Sequence, residues 1–165
     1  MRIAVRLIFL AAVLAAAFWF WQVLFPSPEK IIRKQMTALA TAATFSSSDS
    51  IIARGLKARR IGDFFTPDAQ IALSGPDSGD RTVSGREDIA DKTAMAFSSL
   101  QALRVEFVDV SVTVASDRQS ATVTCTGQVH ANDQKDLGVQ ELQLQFQKVD
   151  GHWLIARIES VKTLT

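Results

Sequence analysis

From Leu103 onward the spacing of apolar residues falls from steps of three and four to steps of two, and that change fixes the fold class. Ala121, Val123, Cys125, Gly127 and Val129 alternate with Thr122, Thr124, Thr126, Gln128 and His130, as in a strand with one face on a core. Before it, Leu103, Val105 and Phe107 share one phase, while Val108, Val110, Val112 and Val114 share the other. A slip at Phe107-Val108 predicts a β-bulge that bends a long strand. A third strand carries a second slip, with Leu137 and Val139 in one phase and Leu142, Leu144 and Phe146 in the other. Asp150-Gly151 is a hairpin turn. The last strand has Trp153 and Ile155 on one side and Leu154, Ala156 and Ile158 on the other. Apolar residues in both phases predict a central strand covered on both sides.

Upstream of Leu103 the period is helical. Residues 29–45 read as a helix with Ile32, Met36, Leu39 and Ala43 on one face. A serine-rich connection follows, in which Ser48, Asp49 or Ser50 can cap the next helix. That helix, residues 51–61, is expected to turn Ile51, Ile52 and Leu56 inward and to end at Gly62. A strand at 70–74 and a turn-forming loop at 75–80 come next. Ser84 and Glu87 have the spacing of a capping box for a third helix to about residue 100, with Ile89, Ala96 and Phe97 buried. Three helices around an early strand, then four long antiparallel strands, make an α+β domain. A curved antiparallel sheet wrapped over helices forms a cone, and its interior is the natural ligand site.

A different pattern opens the chain. Met1-Arg2-Ile3-Ala4-Val5-Arg6 is a basic leader before an apolar run at residues 7–21 that resumes at 23–25. As a helix at ~1.5 Å per residue, residues 3–25 reach roughly 34 Å, enough to cross a hydrocarbon core of ~30 Å. Residues 1–28 are therefore expected to form one transmembrane anchor and residues 29–165 one domain. The competing reading is a cleaved secretory signal with its site at Ala15-Ala16-Ala17. Against cleavage, the new terminus would begin among Phe18, Trp19, Phe20 and Trp21, a large aromatic surface with nothing to cover it. Trp19 and Trp21 also fall where an interfacial aromatic belt lies. Arg2 and Arg6 favour a cytoplasmic N-terminus, although Lys30, Arg33 and Lys34 on the far side blunt that bias. The expected placement is a single-pass membrane protein with its domain on the extracytoplasmic side.

Charge and composition exclude several function classes. The 18 basic residues include Arg2 and Arg6, leaving 16 in the domain against 17 acidic residues. A near-neutral domain is not expected to bind nucleic acid. Arg54, Lys57, Arg59 and Arg60 form the strongest basic cluster, read as a solvated helix face or as a contact for anionic lipid beside the anchor. The single cysteine, Cys125, excludes an internal disulfide and reads as a buried hydrophobe. His130 and His152 lie 22 residues apart with no carboxylate at ligand spacing. No metal site and no cofactor are expected.

Three segments carry a family resemblance: Asp63-Phe64-Phe65-Thr66-Pro67-Asp68-Ala69, the helix opening Ser84-Gly85-Arg86-Glu87-Asp88-Ile89, and the closing Lys148-Val149-Asp150-Gly151-His152-Trp153-Leu154-Ile155. In their order and spacing they resemble the nuclear transport factor two-like superfamily, which includes polyketide-cyclase-like and ketosteroid-isomerase-like α+β cones. The resemblance covers residues 29–165. It implies a cone that hosts enzymes, ligand binders or assembly modules, and a homodimer paired through the sheet.

The residues divide these alternatives. Isomerase members use an aspartate base with a tyrosine-lined oxyanion site, and this chain contains no tyrosine. Dehydratase-like members use histidine with aspartate, for which His130 is the candidate here. Asp63 and Asp68 flank Phe64-Phe65, where a carboxylate beside an apolar pocket can have a raised pKa; both also read as turn residues. Phe64, Phe65, Phe97 and Trp153 are candidate ligand contacts, with Trp153 favoured as core. The leading expectation is a non-enzymatic, membrane-anchored domain binding a small apolar ligand or an envelope protein. The alternatives are a lyase or isomerase that abstracts a proton in the cavity, and an assembly component resembling inner-membrane proteins of bacterial type IV secretion machines.

Overall fold

A computed structural model describes residues 27–75, 79–132 and 137–161. The anchor expected within residues 1–28 lies outside the described residues, apart from Ser27 and Pro28. Among the described residues, no helix is long and apolar enough to cross a membrane.

The elements run α1 (Pro28–Ala43), α2 (Ile51–Gly62), β1 (Phe65–Gly75), β2 (Gly79–Ser84), α3 (Arg86–Ser99), β3 (Leu103–Val114), β4 (Ser120–Ala131), β5 (Leu137–Val149) and β6 (His152–Ser160). Six strands form one curved sheet in the order β2-β1-β6-β5-β4-β3. The sheet is not wholly antiparallel, because β1 runs parallel to β6. Those two strands are separated by most of the domain, so no tight hairpin forces them antiparallel.

Helix α1 starts with Pro28 in its first turn, where a missing amide proton costs nothing. It buries Ile32, Met36 and Leu39, the expected stripe. Its exit is clamped by Phe45, whose amide and carbonyl both pair with Leu103 at 2.8 and 2.9 Å. The Ser50 hydroxyl caps α2 by accepting from the Ala53 amide at 3.2 Å.

Helix α2 does not bury the apolar residues expected. Ile51, Ile52 and Leu56 are exposed, while Ala58, Ile61 and Gly62 are buried. Close approach chose this face: a Cβ on Gly62 would stand 3.3 Å from the Ala90 Cβ of α3. Small residues at 58 and 62 admit the neighbouring helix where leucine or isoleucine would hold it off. Gly62 is accordingly the last helical residue, followed by Asp63 in right-handed geometry, and is not a left-handed cap. Gly62→Leu is expected to destabilise the domain by about 1–3 kcal/mol, measurable as a lower urea midpoint.

The segment expected as a short strand and a loop is a two-stranded hairpin. Strand β1 begins at Phe65, and its pairing with β6 is irregular between Phe65 and Gln70, the stretch containing Pro67. Ser84 pairs with Gln70 in β2 and therefore does not cap α3. Gly85 takes that position with φ 93°, a region glycine enters without steric cost, so the Ser84/Glu87 capping box does not form. Arg86 instead ties α3 to β1, its Nε and Nη2 both donating to the Phe65 carbonyl. Arg86→Met is expected to cost about 1.5–3 kcal/mol, the range for charge-assisted bonds to buried acceptors, read by chemical denaturation. Within α3 the buried face runs through Ile89 and Phe97, leaving Ala96 exposed, contrary to expectation.

Of the two expected bends, the one on β3 exists, displaced along the strand; the one expected on β5 does not, and a bulge falls on β6 instead. On β3, Val108 faces Thr126 and Ser111 faces Thr124, so the bulge lies at Asp109 and Val110. Asp109 has φ 54°, a conformation aspartate tolerates better than valine does. Strand β5 pairs with β4 in unbroken register, so its change of phase is not a bulge; Val139 is simply exposed. The second bulge falls in β6, where Gln145 faces Arg157 and Phe146 faces Ile155, leaving Ala156 extra. Ile158 thereby joins Ile155 on the core side. The apolar residues in both phases of β6 record this bulge, not two covered faces. Asp150 and Gly151 both have positive φ, the geometry of the expected tight hairpin.

The core lies between the helices and the inner sheet face. Val123, Leu144, Phe146, Trp153 and Ile155 project from the strands, and Ile32, Met36, Phe45, Ile61 and Phe97 meet them from the helical side. Phe45 and Phe97 pack with ring centroids 4.7 Å apart. The Arg54 guanidinium lies over the Phe45 ring, 5.1 Å from its centre.

Candidate functional site

Two adjoining grooves flank α1. The larger, about 860 Å³, runs between α1 and β3. Its apolar lining is Met36, Ala40, Val105, Phe107 and Val110; its charged lining is Arg33, Lys57, Arg104 and Glu106. Between them stand Thr37, Thr41 and Thr44, at four- and three-residue steps along α1. Each hydroxyl donates its proton to the preceding turn: Thr37 to Arg33 O at 3.1 Å, Thr41 to Thr37 O at 2.8 Å, Thr44 to Ala40 O at 2.9 Å. With those protons committed, Thr37 and Thr41 offer acceptors to anything in the groove, and the cations offer donors, while Thr44 Oγ1 already accepts from the Val105 amide at 3.1 Å.

The charged residues are positioned by local bonds. Arg33 Nη1 donates to Val110 O at 2.7 Å, joining α1 to the β3 bulge. Lys57 Nζ donates to Thr44 O and to Asp49 Oδ2, both at 2.9 Å. Arg104 and Glu106 pair at 2.6 Å on the exposed rim, an ion pair of small energetic worth. Asp49 is held below the usual carboxylate range, chiefly by the bond from Lys57 and then by the Ser46 amide. A lowered folded-state pKa gives stability that is present above the ordinary value of ~3.9 and lost as pH falls through the lowered one. Asp49→Asn is therefore expected to flatten the acid limb of the stability curve, measured by thermal melts from pH 2 upward (roughly the range where such groups titrate).

The smaller groove, about 670 Å³, lies between α1 and α2. It is lined by Lys34, Ala38, Ala42, Arg60, Asp63 and Phe64, and shares Thr37, Thr41 and Lys57 with the first. Of the candidate catalytic and ligand-contact residues named from the sequence, only Asp63 and Phe64 line a groove; Lys57 and Arg60 of the basic cluster stand beside them. Asp68 is exposed on β1. His130 falls on the phase of β4 that points away from the helices, with Thr122, Thr124, Thr126 and Gln128. It pairs in register with Arg104 and Leu137. Asp63, Asp68 and His130 are thus not brought together. Phe65, Phe97 and Trp153 are core residues, and the Trp153 carbonyl accepts from Gln35 Nε2. Among the described residues, no cluster of three His, Cys, Asp or Glu could hold a metal ion.

Cys125 is buried on the inner face, and burial pushes its thiol up to about 11. The thiol therefore stays protonated through neutral pH. Iodoacetamide at pH 8 (about the ordinary thiol pKa) is expected to leave the folded protein unmodified and to label it once urea unfolds it.

A curved sheet with helices laid on one face and an open groove beside the first of them defines the cystatin-like, NTF2-like class of folds. Residues 55–159 match the SnoaL-like domain, and the chain belongs to that family. An NTF2-like protein from Novosphingobium aromaticivorans superposes with a TM-score of 0.63 at 20% identity, covering 89% of this chain and 86% of its own. A domain of unknown function from Nostoc punctiforme gives 0.62 at 20% identity, covering 86% and 80%. An NTF2-like family member from Streptomyces avermitilis, described as a candidate dehydratase, gives 0.57 at 20% identity, covering 84% and 100%. No match to the sequence is found among curated proteins.

The sequence did not mark Thr37, Thr41, Thr44, Arg104 or Glu106 as site residues, and it named Arg33 only for its charge. One signal for them was there: three threonines recur on the flank of the apolar stripe of α1, at helical spacing.

Proposed function

We propose that this protein is a membrane-held binding module that takes a small amphipathic ligand into the groove between α1 and β3. The observation that carries the reading is the lining itself: an apolar floor from Met36, Ala40, Val105 and Phe107, edged by cations and by threonine acceptors. A ligand with an apolar body and a polar or anionic end fits this combination. Its one carboxylate, Glu106, is engaged by Arg104, which leaves it poorly placed as a base. The membrane part of the reading rests on the apolar run at residues 7–25 and on α1 starting at Pro28 directly after it. It places the domain on the extracytoplasmic side of a bacterial inner membrane.

The test is native mass spectrometry of the full chain purified from membranes in mild detergent. A co-purifying amphiphile, displaced by added fatty acid, is the expected result. A ligand-free protein that dehydrates or isomerises a cyclic hydroxyketone would overturn it.

That outcome would favour the second reading, a lyase or isomerase. One observation supports it: Asp63 lines the smaller groove beside Phe64. Two proteins of similar fold are described as candidate dehydratases. In this reading Asp63 is the base, and Asp63→Asn abolishes turnover while leaving the fold intact.

A further inference from the structure

We propose that the outward face of α2 docks on an anionic lipid surface. Three large apolar side chains stand in water on this 12-residue helix: Ile51 is 83% exposed, Ile52 78% and Leu56 60%. Met95 on the adjoining α3 is 70% exposed. At about 100° per residue, Ile52, Gly55, Leu56, Arg59 and Arg60 share the outward sector, with Ile61 opposite it; Ile51, in the first turn, falls beside Ala58 and Gly62. An apolar strip edged by arginine is what an interfacial helix presents to a bilayer.

The charge is sorted to match. Helix α2 has four basic residues and no acidic one. Two of the four are committed inward: Arg54 donates to Leu100 O and lies over Phe45, and Lys57 binds Asp49 and Thr44 O. Arg59 and Arg60, in the last turn, remain on the outward side. A solvated helix would have no reason to carry isoleucine and leucine between its arginines, and a protein core would not tolerate the arginines. A surface that is apolar within and anionic outside accepts both.

Position agrees with charge. Arg60 and Lys34 line the same groove, so the basic end of α2 lies beside the early turns of α1. Helix α1 begins at Pro28, three residues after the apolar run ends at Phe25. The chain outside the structure therefore ends on the side of the domain that carries Arg59, Arg60 and Lys34. The inference rests on the membrane-held reading above. Docked this way, α2 fixes the tilt of the domain and brings the groove between α1 and α2 close to the lipid.

The experiment uses the full chain with Ile52→Cys, labelled with the environment-sensitive fluorophore NBD; buried Cys125 stays unlabelled. The protein is reconstituted in vesicles of phosphatidylcholine alone or mixed with phosphatidylglycerol. A blue shift in the mixed vesicles, quenched by nitroxide lipids and lost with Arg59→Glu/Arg60→Glu, is expected. A label at Thr124→Cys, on the exposed outer sheet face, should keep water-like emission in both. Water-like emission from position 52 in both vesicle types overturns the proposal. So does a blue shift that grows with protein density and ignores the nitroxide lipids, which would mean that a second copy covers the face. An alkaline wash separates the two ideas. Release of a chain whose position-52 label had been lipid-quenched overturns the anchor while sustaining the docking.

Discussion

Trp153→Ala is expected to lower the unfolding free energy by about 3–5 kcal/mol, a large part of the ~5–15 kcal/mol that holds a domain together. Trp153 is 3% exposed and stands in the second residue of β6, among the core side chains Phe146, Leu144 and Ile155. Its removal leaves a cavity beside Phe146 and Ile155, whose backbones are fixed by strand pairing and cannot collapse into the space. Gln35 Nε2 bonds the Trp153 carbonyl, not the ring, so that link between α1 and β6 survives and the loss reports packing. Urea denaturation followed by circular dichroism measures it. Phe64→Ala is the control: Phe64 is half-buried at the smaller groove, and its loss should cost clearly less. If Trp153→Ala were nearly neutral for stability and instead abolished ligand retention, Trp153 would be a ligand platform and the core would be organised differently.

What the sequence could disclose was set by how strongly each residue type depends on its surroundings. The strands β3 to β6 and the stripe Ile32, Met36 and Leu39 were readable, because periodic apolar residues on long elements have few other places to go. The face of α2 was not. Hydrophobicity pointed to Ile51, Ile52 and Leu56, but the tight approach of α3 at Gly62 and Ala90 made side-chain size the deciding property. The bulges were readable as events and not as positions, since valine sits equally well on either side of a strand and Val108 hid the break at Asp109. In β6 the same ambiguity made a bulge at Ala156 look like a strand covered twice. The groove was least legible of all. It is built where α1 meets β3, from residues as far apart as Thr44 and Val105, 61 positions along the chain, and no local pattern encodes that meeting.

Ala40→Trp is expected to weaken binding in the groove between α1 and β3 by more than an order of magnitude while the fold persists. Ala40 is half-buried on α1 among the groove-lining residues, with Val105 and Phe107 contributed from β3. An indole there points into open space, so it does not overpack the core that Ile32, Met36 and Leu39 form on the neighbouring face. Denying a ligand ~100 Å² of apolar contact at ~25 cal/mol per Å² removes about 2.5 kcal/mol, on the order of fiftyfold to a hundredfold in Kd. A diazirine-bearing fatty acid photo-crosslinked to the full chain in membranes gives the measurement, with the labelled peptide identified by mass spectrometry. In the unaltered protein the label should fall on β3 between Val105 and Val110, and in Ala40→Trp its half-saturation should rise by that factor. Ala38→Trp, which fills the smaller groove, should leave β3 labelling unchanged. If Ala38→Trp blocked labelling and Ala40→Trp did not, the ligand would belong between α1 and α2, beside Asp63 and Phe64. The two substitutions sit on one helix two residues apart, and only the geometry of the sheet and α2 around α1 sends one into each groove.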